Sequence, residues 1–201
     1  MNLTKKLKLK ESPKPKRWSL VTDWGGVIID NINVDRTSRY SITYRGPRPR
    51  FFEVLPVPGA LQTIEWLHKN RFRLGIGSRI DLDPPYIEGH TRAWLHYHGV
   101  HRFIPSKNWR FCEKIAHKKH ICEEFCPDFF LDDNLGSHEP LLHTVEHLIL
   151  FRPPWTPRHV TVRDRRLFSL VRDGRVKLAQ SMADVRRIVG SIIGRTARAP
   201  L

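Results

Sequence analysis

Two apolar runs of this sequence stop abruptly on aspartate. In LVTDWGG a strand-like stretch ends at Asp23 and two glycines follow, and in FFLDDN the run Phe129, Phe130, Leu131 passes straight into Asp132 and Asp133. A carboxylate at the end of a buried strand is at home where that end borders a ligand crevice, as the carboxyl ends of strands do in open α/β sheets. The pattern therefore calls for a parallel sheet whose strand ends share one edge, with helical crossovers returning the chain to the other.

The segments between supply those crossovers. Trp18 to Thr22 reads as a first strand, Pro58-Gly59 opens a helix ALQTIEWLHKN with Leu61, Ile64 and Leu67 on one face, and RFRLGIGSR reads as a second strand ending on a Gly-Ser turn. A helix through Ala93 to His98, a short RFIP strand and a helix near Lys118 to Phe125 follow. PDFFLDDN is the next strand, and HLILF (147–151) the one after. Strands alternating with helices predict an α/β fold, a Rossmann-like, doubly wound parallel sheet. Beyond it, LFSLVRDGRVKLA reads as a hairpin about Asp173-Gly174. Ser181 is placed to cap a last helix that buries Val185, Ile188, Val189 and Ile192. The expected organisation is a basic arm over 1–17, an α/β core over 18–155, and a basic C-terminal segment over 156–201 whose final helix packs on the core.

Charge is placed unevenly. Residues 1–17 carry seven Lys/Arg against one Glu, residues 152–201 carry twelve against three Asp, and the rest balances, so the two ends hold the whole formal charge of +15. Cationic ends on a neutral core suit a polyanion, RNA or DNA, through phosphate neutralisation and counterion release. A solvated surface is the plainer alternative. The candidate nucleic-acid contacts are Lys5, Lys6, Lys8 and Lys10 of the arm and Arg45, Arg48 and Arg50 of the RGPRPR loop, with Tyr40, Tyr44 and Phe51 as stacking surfaces.

No apolar run approaches the roughly 18 residues of a membrane span, and the first residues lack the apolar stretch of a signal peptide. Three cysteines clustered at 112, 122 and 126 suit a reducing compartment better than a disulfide framework. An intracellular, cytoplasmic setting is expected, with the nucleus or the mitochondrial matrix as further possibilities. Cys112, His117, His120, Cys122 and Cys126 match no common zinc-finger spacing, and Cys122 and Cys126, four apart, are expected on the buried side of their helix.

Asp23, Ser78 and the Asp132-Asp133 pair all fall at strand ends, so a parallel sheet brings them together. Three carboxylates repel one another, and Mg²⁺ is the natural relief, being a hard cation that takes carboxylate oxygens and bridges to phosphate. A strand-end serine and a helix-borne lysine would hold the other phosphate oxygens. The set describes an acceptor site for phosphoryl transfer with an aspartate nucleophile.

In this order the motifs resemble those of the haloacid-dehalogenase-like phosphohydrolase superfamily, over about residues 18–155. The resemblance implies Asp23 of TDWGGVIID as nucleophile, Ser78 of GIGSR as phosphate ligand, a lysine within or near KIAHKKH, and Asp132 and Asp133 of FFLDDN as the acidic pair. Lys118 sits where the family lysine would, with Lys114 and Lys107 as alternatives. The implied metal positions are Asp23, Gly25, Asp132 and Asp133. The implied phosphate or substrate contacts are Trp24, Gly26, Arg79 and Asn134.

Most phosphatases of the superfamily carry a second aspartate two residues after the nucleophile, as general acid and base; here that position is Gly25. Residues 31–56 are too few for a folded helical cap, which leaves the site open to a macromolecular phosphate and implies the nucleotidase or polynucleotide-phosphatase side of the superfamily. The other reading is a disarmed relative that serves as a nucleic-acid-binding subunit.

Overall fold

The computed structural model describes residues 17–30, 54–80, 86–154 and 168–196. Lys5, Lys6, Lys8, Lys10, Arg45, Arg48 and Arg50, and the aromatic residues of the RGPRPR loop, lie outside the described residues.

Six strands form one sheet: β1 (Ser19–Thr22), β2 (Arg73–Arg79), β3 (Trp109–Cys112), β4 (Phe129–Asp132), β5 (His147–Phe151) and β6 (Val176–Ala179). Every pairing is parallel and the order is β3-β2-β1-β4-β5-β6. The helices are α1 (Ala60–Lys69), α2 (Tyr86–Tyr97), α3 (Lys118–Phe125), the single turn α4 (Leu135–His138) and α5 (Met182–Thr196).

The central strands β1 and β4 are buried along their whole length because both faces are covered, as a doubly wound sheet requires. Successive side chains point to opposite faces, and the two faces hold separate cores. Leu20, Phe129, Leu131, Ile149 and Phe151 join α1, α2 and α5 on one side; Val21, Phe130, Leu148 and Leu150 join α3 and α4 on the other. On α1, Ile64 and Leu67 are buried and Leu61 packs at the core's margin.

Three local expectations are corrected. The RFIP strand does not form: Val100–Arg102 is a 3-10 turn entered from Gly99 at φ 73, and Phe103 and Ile104 drop into the core. The strand begins instead at Trp109, whose indole N–H donates to Ile104 O at 3.0 Å. The Asp173-Gly174 hairpin is also absent. Residues 168–172 are helical, Gly174 at φ 75 terminates them with its N–H bonded to Val171 O, and β6 then runs parallel to β5. A glycine with positive φ serves a helix C-terminus as well as a hairpin, so the local signal was shared by two structures. Cys122 is buried, but Cys126 is exposed, at φ 46, as the left-handed cap of α3.

The basic C-terminal segment therefore supplies a sheet strand as well as the last helix. Ser181 caps α5 as expected: its Oγ accepts from the Asp184 N–H, while Asp184 accepts from the Gln180 N–H and the Ser181 hydroxyl. The helix then packs on α1, where Arg186 donates to Thr63 Oγ1 at 2.9 Å.

Candidate active site

β1 and β4 are neighbours at the centre of the sheet, where the strand order reverses, and ligands of doubly wound folds lie at that crevice. The Asp23 N–H donates to Leu131 O at 2.8 Å, which locks the end of β1 to the end of β4 and places Asp23 beside Asp132. Lys118 joins the two: its Nζ is 2.6 Å from Asp132 Oδ2 and 3.0 Å from Asp23 Oδ2, and all three side chains are buried. Helix α3 can bring Lys118 this close because β2 shows it glycines. A Cβ on Gly75 would lie 2.9 Å from the Phe125 ring, and one on Gly77 3.1 Å from Ile121.

The remaining oxygens are fixed by backbone. Asp23 Oδ1 accepts from the Trp24 N–H and Asp132 Oδ1 from the Asn134 N–H, each at 2.8 Å. Asp133, next along, has no lysine or arginine in salt-bridge range among the described residues. It lies against Gly26, at φ 72, where a Cβ would sit 2.2 Å from Asp133 Oδ2. Replacing Gly26 by Ala is expected to strain the backbone and push Asp133 aside, lowering Mn²⁺ affinity by calorimetry about tenfold or more.

Three carboxylates face one ammonium, and the electrostatics follow from that count. Burial pushes the Asp23 carboxyl up to about 6, with Lys118 pulling it down and Asp132 pushing it further up. Burial, Asp132 and Asp23 together hold Asp133 well above the usual carboxylate range. Burial works against the Lys118 ammonium, but Asp132 and Asp23 outweigh it and hold the lysine charged. One ligand oxygen from each of Asp23, Asp132 and Asp133 lies within 4.8 Å of the others, the one such acidic or metal-ligating cluster among the described residues. Oxygen ligands, converging geometry and a surplus of negative charge fit Mg²⁺.

The other sequence-derived positions sort by place. Ser78 ends β2, buried, with its hydroxyl turned to the Asp23 carboxyl, whose pKa it helps to lower, and with no hydrogen bond of ordinary geometry to a described residue. Arg79 beside it is exposed. The Trp24 ring lies in the core, edge-on to Trp94 with centroids 6.0 Å apart, so its backbone N–H is the part that meets Asp23. Gly25 sits at the turn that follows, bridged to Ile29. Asn134 caps α4 by accepting from the Gly136 N–H. Of the three candidate lysines it is Lys118 that meets the carboxylates; Lys114 is exposed, and Lys107 precedes β3 at the opposite edge. Cys112, at the end of β3, was missed as a neighbour of the site because β3 was missed. Its thiol lies 3.6 Å from Ser78 O, and burial pushes it up.

The fold is that of the haloacid-dehalogenase-like hydrolases. The chain is similar to the D,D-heptose 1,7-bisphosphate phosphatase of B. bronchiseptica, complexed with magnesium and phosphate, with a TM-score of 0.58 at 12% identity over 87% of this chain and 98% of that one. It is also similar to a haloacid-dehalogenase-like family hydrolase from Xanthomonas campestris (TM-score 0.58, 11% identity, 91% and 99% covered). A third likeness is to a hydrolase of the same superfamily from Ehrlichia chaffeensis (TM-score 0.53, 13% identity, 89% and 99% covered). Neither family models nor curated proteins match the sequence.

Proposed function

We propose that this chain is a Mg²⁺-dependent phosphohydrolase that acts on a nucleotide or nucleic-acid phosphate through an aspartyl-phosphate intermediate. The observation that carries the reading is the buried Asp23–Lys118–Asp132 contact with Asp133 beside it, at the switch point of the sheet. The likeness in fold to a phosphatase complexed with magnesium and phosphate supports it.

An Asp23 carboxylate oxygen attacks phosphorus, and the bond from phosphorus to the leaving alcohol's oxygen breaks. The alkoxide takes its proton from solvent, because position 25 offers none. Water then attacks the phosphorus of the acyl phosphate, releasing inorganic phosphate and restoring the carboxylate. Lys118 holds Asp23 in place throughout, and the Ser78 hydroxyl, beside Asp23, would donate to a phosphoryl oxygen. Asp23, Asp132 and Asp133 would hold Mg²⁺, which when bound offsets the charge of the carboxylates and the phosphate.

The absent acid predicts a leaving-group dependence. An aryl phosphate, whose phenolate departs unprotonated, is expected to turn over faster than an alkyl phosphate. Gly25 lies outside the left-handed region. Gly25→Asp is therefore expected to accelerate the alkyl substrate about a hundredfold while barely changing the aryl one, measured as phosphate release.

A pH dependence follows from Asp23. Its carboxyl titrates near 6 in the fold against an ordinary 3.8, so its contribution to stability is full below 3.8 and is lost as pH rises through about 6. Mg²⁺ relieves that loss. Thermal unfolding is expected to show a larger Mg²⁺-induced rise in Tm near pH 7.5 than near pH 5.

The nucleic-acid part of the reading rests on the cationic ends. None of the described helices is long and apolar enough to cross a membrane, and the free cysteines suit a reducing intracellular compartment. Gly25 also favours a second reading, a catalytically impaired nucleic-acid-binding subunit of a ribonucleoprotein or similar complex. Mg²⁺-dependent phosphate release from nucleoside monophosphates, end-phosphorylated oligonucleotides and an aryl phosphate separates the two. Turnover supports the enzyme. Salt-sensitive oligonucleotide binding without turnover of any of the three supports the subunit.

A further inference from the structure

Helix α4 follows directly on the Asp132-Asp133-Asn134 turn and is a single turn of four residues. A helix that short has no stability of its own, so what holds it is tertiary. Its last residue, His138, is fully buried. The ring lies between two backbone carbonyls: Nδ1 is 3.1 Å from Asn134 O, at the start of the same turn, and Nε2 is 3.0 Å from Ile149 O, in the middle of β5. The Phe130 ring of β4 packs edge-on against it, centroids 5.6 Å apart. One imidazole thus spans from the residue next to Asp133 to the strand beside β4.

Asp23 and Asp132 are each held by Lys118 and by a backbone N–H, so their positions are set twice over. Among the described residues neither a lysine nor an arginine holds Asp133, and Gly26 bounds it on one side. Its place is therefore decided by the backbone of the turn; Lys118 holds the Asp132 end of that turn, and His138 is a buried polar side chain placed to hold the Asn134 end. Burial lowers the affinity of this ring for a second proton, and the contact that reaches β5 is Nε2 to Ile149 O, which is a hydrogen bond when the ring proton is on Nε2.

We propose that His138 is a positioning residue for the metal centre, one that fixes the Asp132-Asp133-Asn134 turn to β5 and so sets where Asp133 stands relative to Asp23. The inference rests on the metal-binding reading of the carboxylate cluster. His138 acts through backbone, at a distance from the reacting atoms, as outer groups around metal sites do.

The test is Mn²⁺ binding by the full chain, followed by calorimetry and by the electron paramagnetic resonance of the bound ion. H138F, which keeps a ring without a donor, is expected to bind Mn²⁺ about tenfold or more weaker than the unaltered chain. H138Q, which restores an N–H, is expected to recover most of that loss. Leu141→Ala, which removes a buried side chain a few residues on, is expected to lower Tm while leaving Mn²⁺ affinity within about twofold, which separates positioning from general destabilisation. Mn²⁺ affinity of H138F within about twofold of the unaltered chain, or H138Q no tighter than H138F, overturns the inference. No Mn²⁺ binding by the unaltered chain overturns the metal-centre reading itself. Should H138F fail to fold, ¹⁵N NMR of the unaltered imidazole decides: an Nε2–H protected from solvent exchange supports the tether to Ile149 O, and a proton on Nδ1 or a freely exchanging one overturns it.

Discussion

Asp23→Asn is expected to reduce phosphate release by about 10⁴-fold or more on every substrate, aryl phosphate included. The amide keeps the shape of the carboxylate and can still accept from the Trp24 N–H, but it cannot attack phosphorus. The loss should come without unfolding. Lys118 keeps its 2.6 Å contact with Asp132, and the variant removes a buried charge that the fold holds at a cost, as its upward-shifted pKa records. Metal-free Tm is therefore expected to stay within a few degrees of the unaltered chain. A variant that retains turnover would locate the nucleophile elsewhere and sink the mechanism. One that loses turnover together with its fold would leave Lys118 and Asp23 as a structural pair.

Lys118→Met is expected to have the largest effect on stability. It removes the ammonium from contact with Asp23 and Asp132, both buried, and leaves two carboxylates facing each other and Asp133. Breaking a buried ion pair from one side costs about 3–5 kcal/mol, which for a domain of this size is a fall in Tm of about 10 °C. The deficit should shrink on acidification, as the carboxylates take up protons, and should shrink again on adding Mg²⁺, which replaces the lost positive charge. Activity should fall with it at any temperature where the protein remains folded. Lys114→Met removes an exposed charge four residues earlier and is the control, with an expected change within about 0.5 kcal/mol. Equal effects of the two substitutions would mean that the buried contact carries no special weight.

Much of this site was legible in the chain because its signals are local and repeat. Asp23 and Asp132 were visible as strand-end carboxylates since an apolar run that stops at an acid has few places to go in a parallel sheet. The strands Ser19–Thr22, Arg73–Arg79, Phe129–Asp132 and His147–Phe151 were visible as short apolar runs, and α5 by its serine cap and its spacing of Val185, Ile188 and Val189. What failed was what local chemistry leaves degenerate. The Trp-Arg-Phe-Cys strand is too short and too mixed to outrank its neighbours; it forms because β2 offers an open edge for it to pair with. The glycine at 174 fits a hairpin and a helix end equally well, and the choice fell to the edge of β5, which takes β6 in parallel.

By itself the sequence determined the class of fold, the order of its motifs and which strand ends carry acid, because hydrophobic period and turn chemistry act over a few residues. Tertiary structure alone decided that Lys118, the lysine the resemblance favoured, reaches both Asp23 and Asp132, that Gly26 leaves room for Asp133, and that His138 reaches β5. Each of those depends on the approach of segments far apart in the chain: two glycines of β2 admit α3, a missing Cβ admits a carboxylate, and a buried ring finds the carbonyl of a neighbouring strand. No pattern within a single segment encodes a distance between two of them.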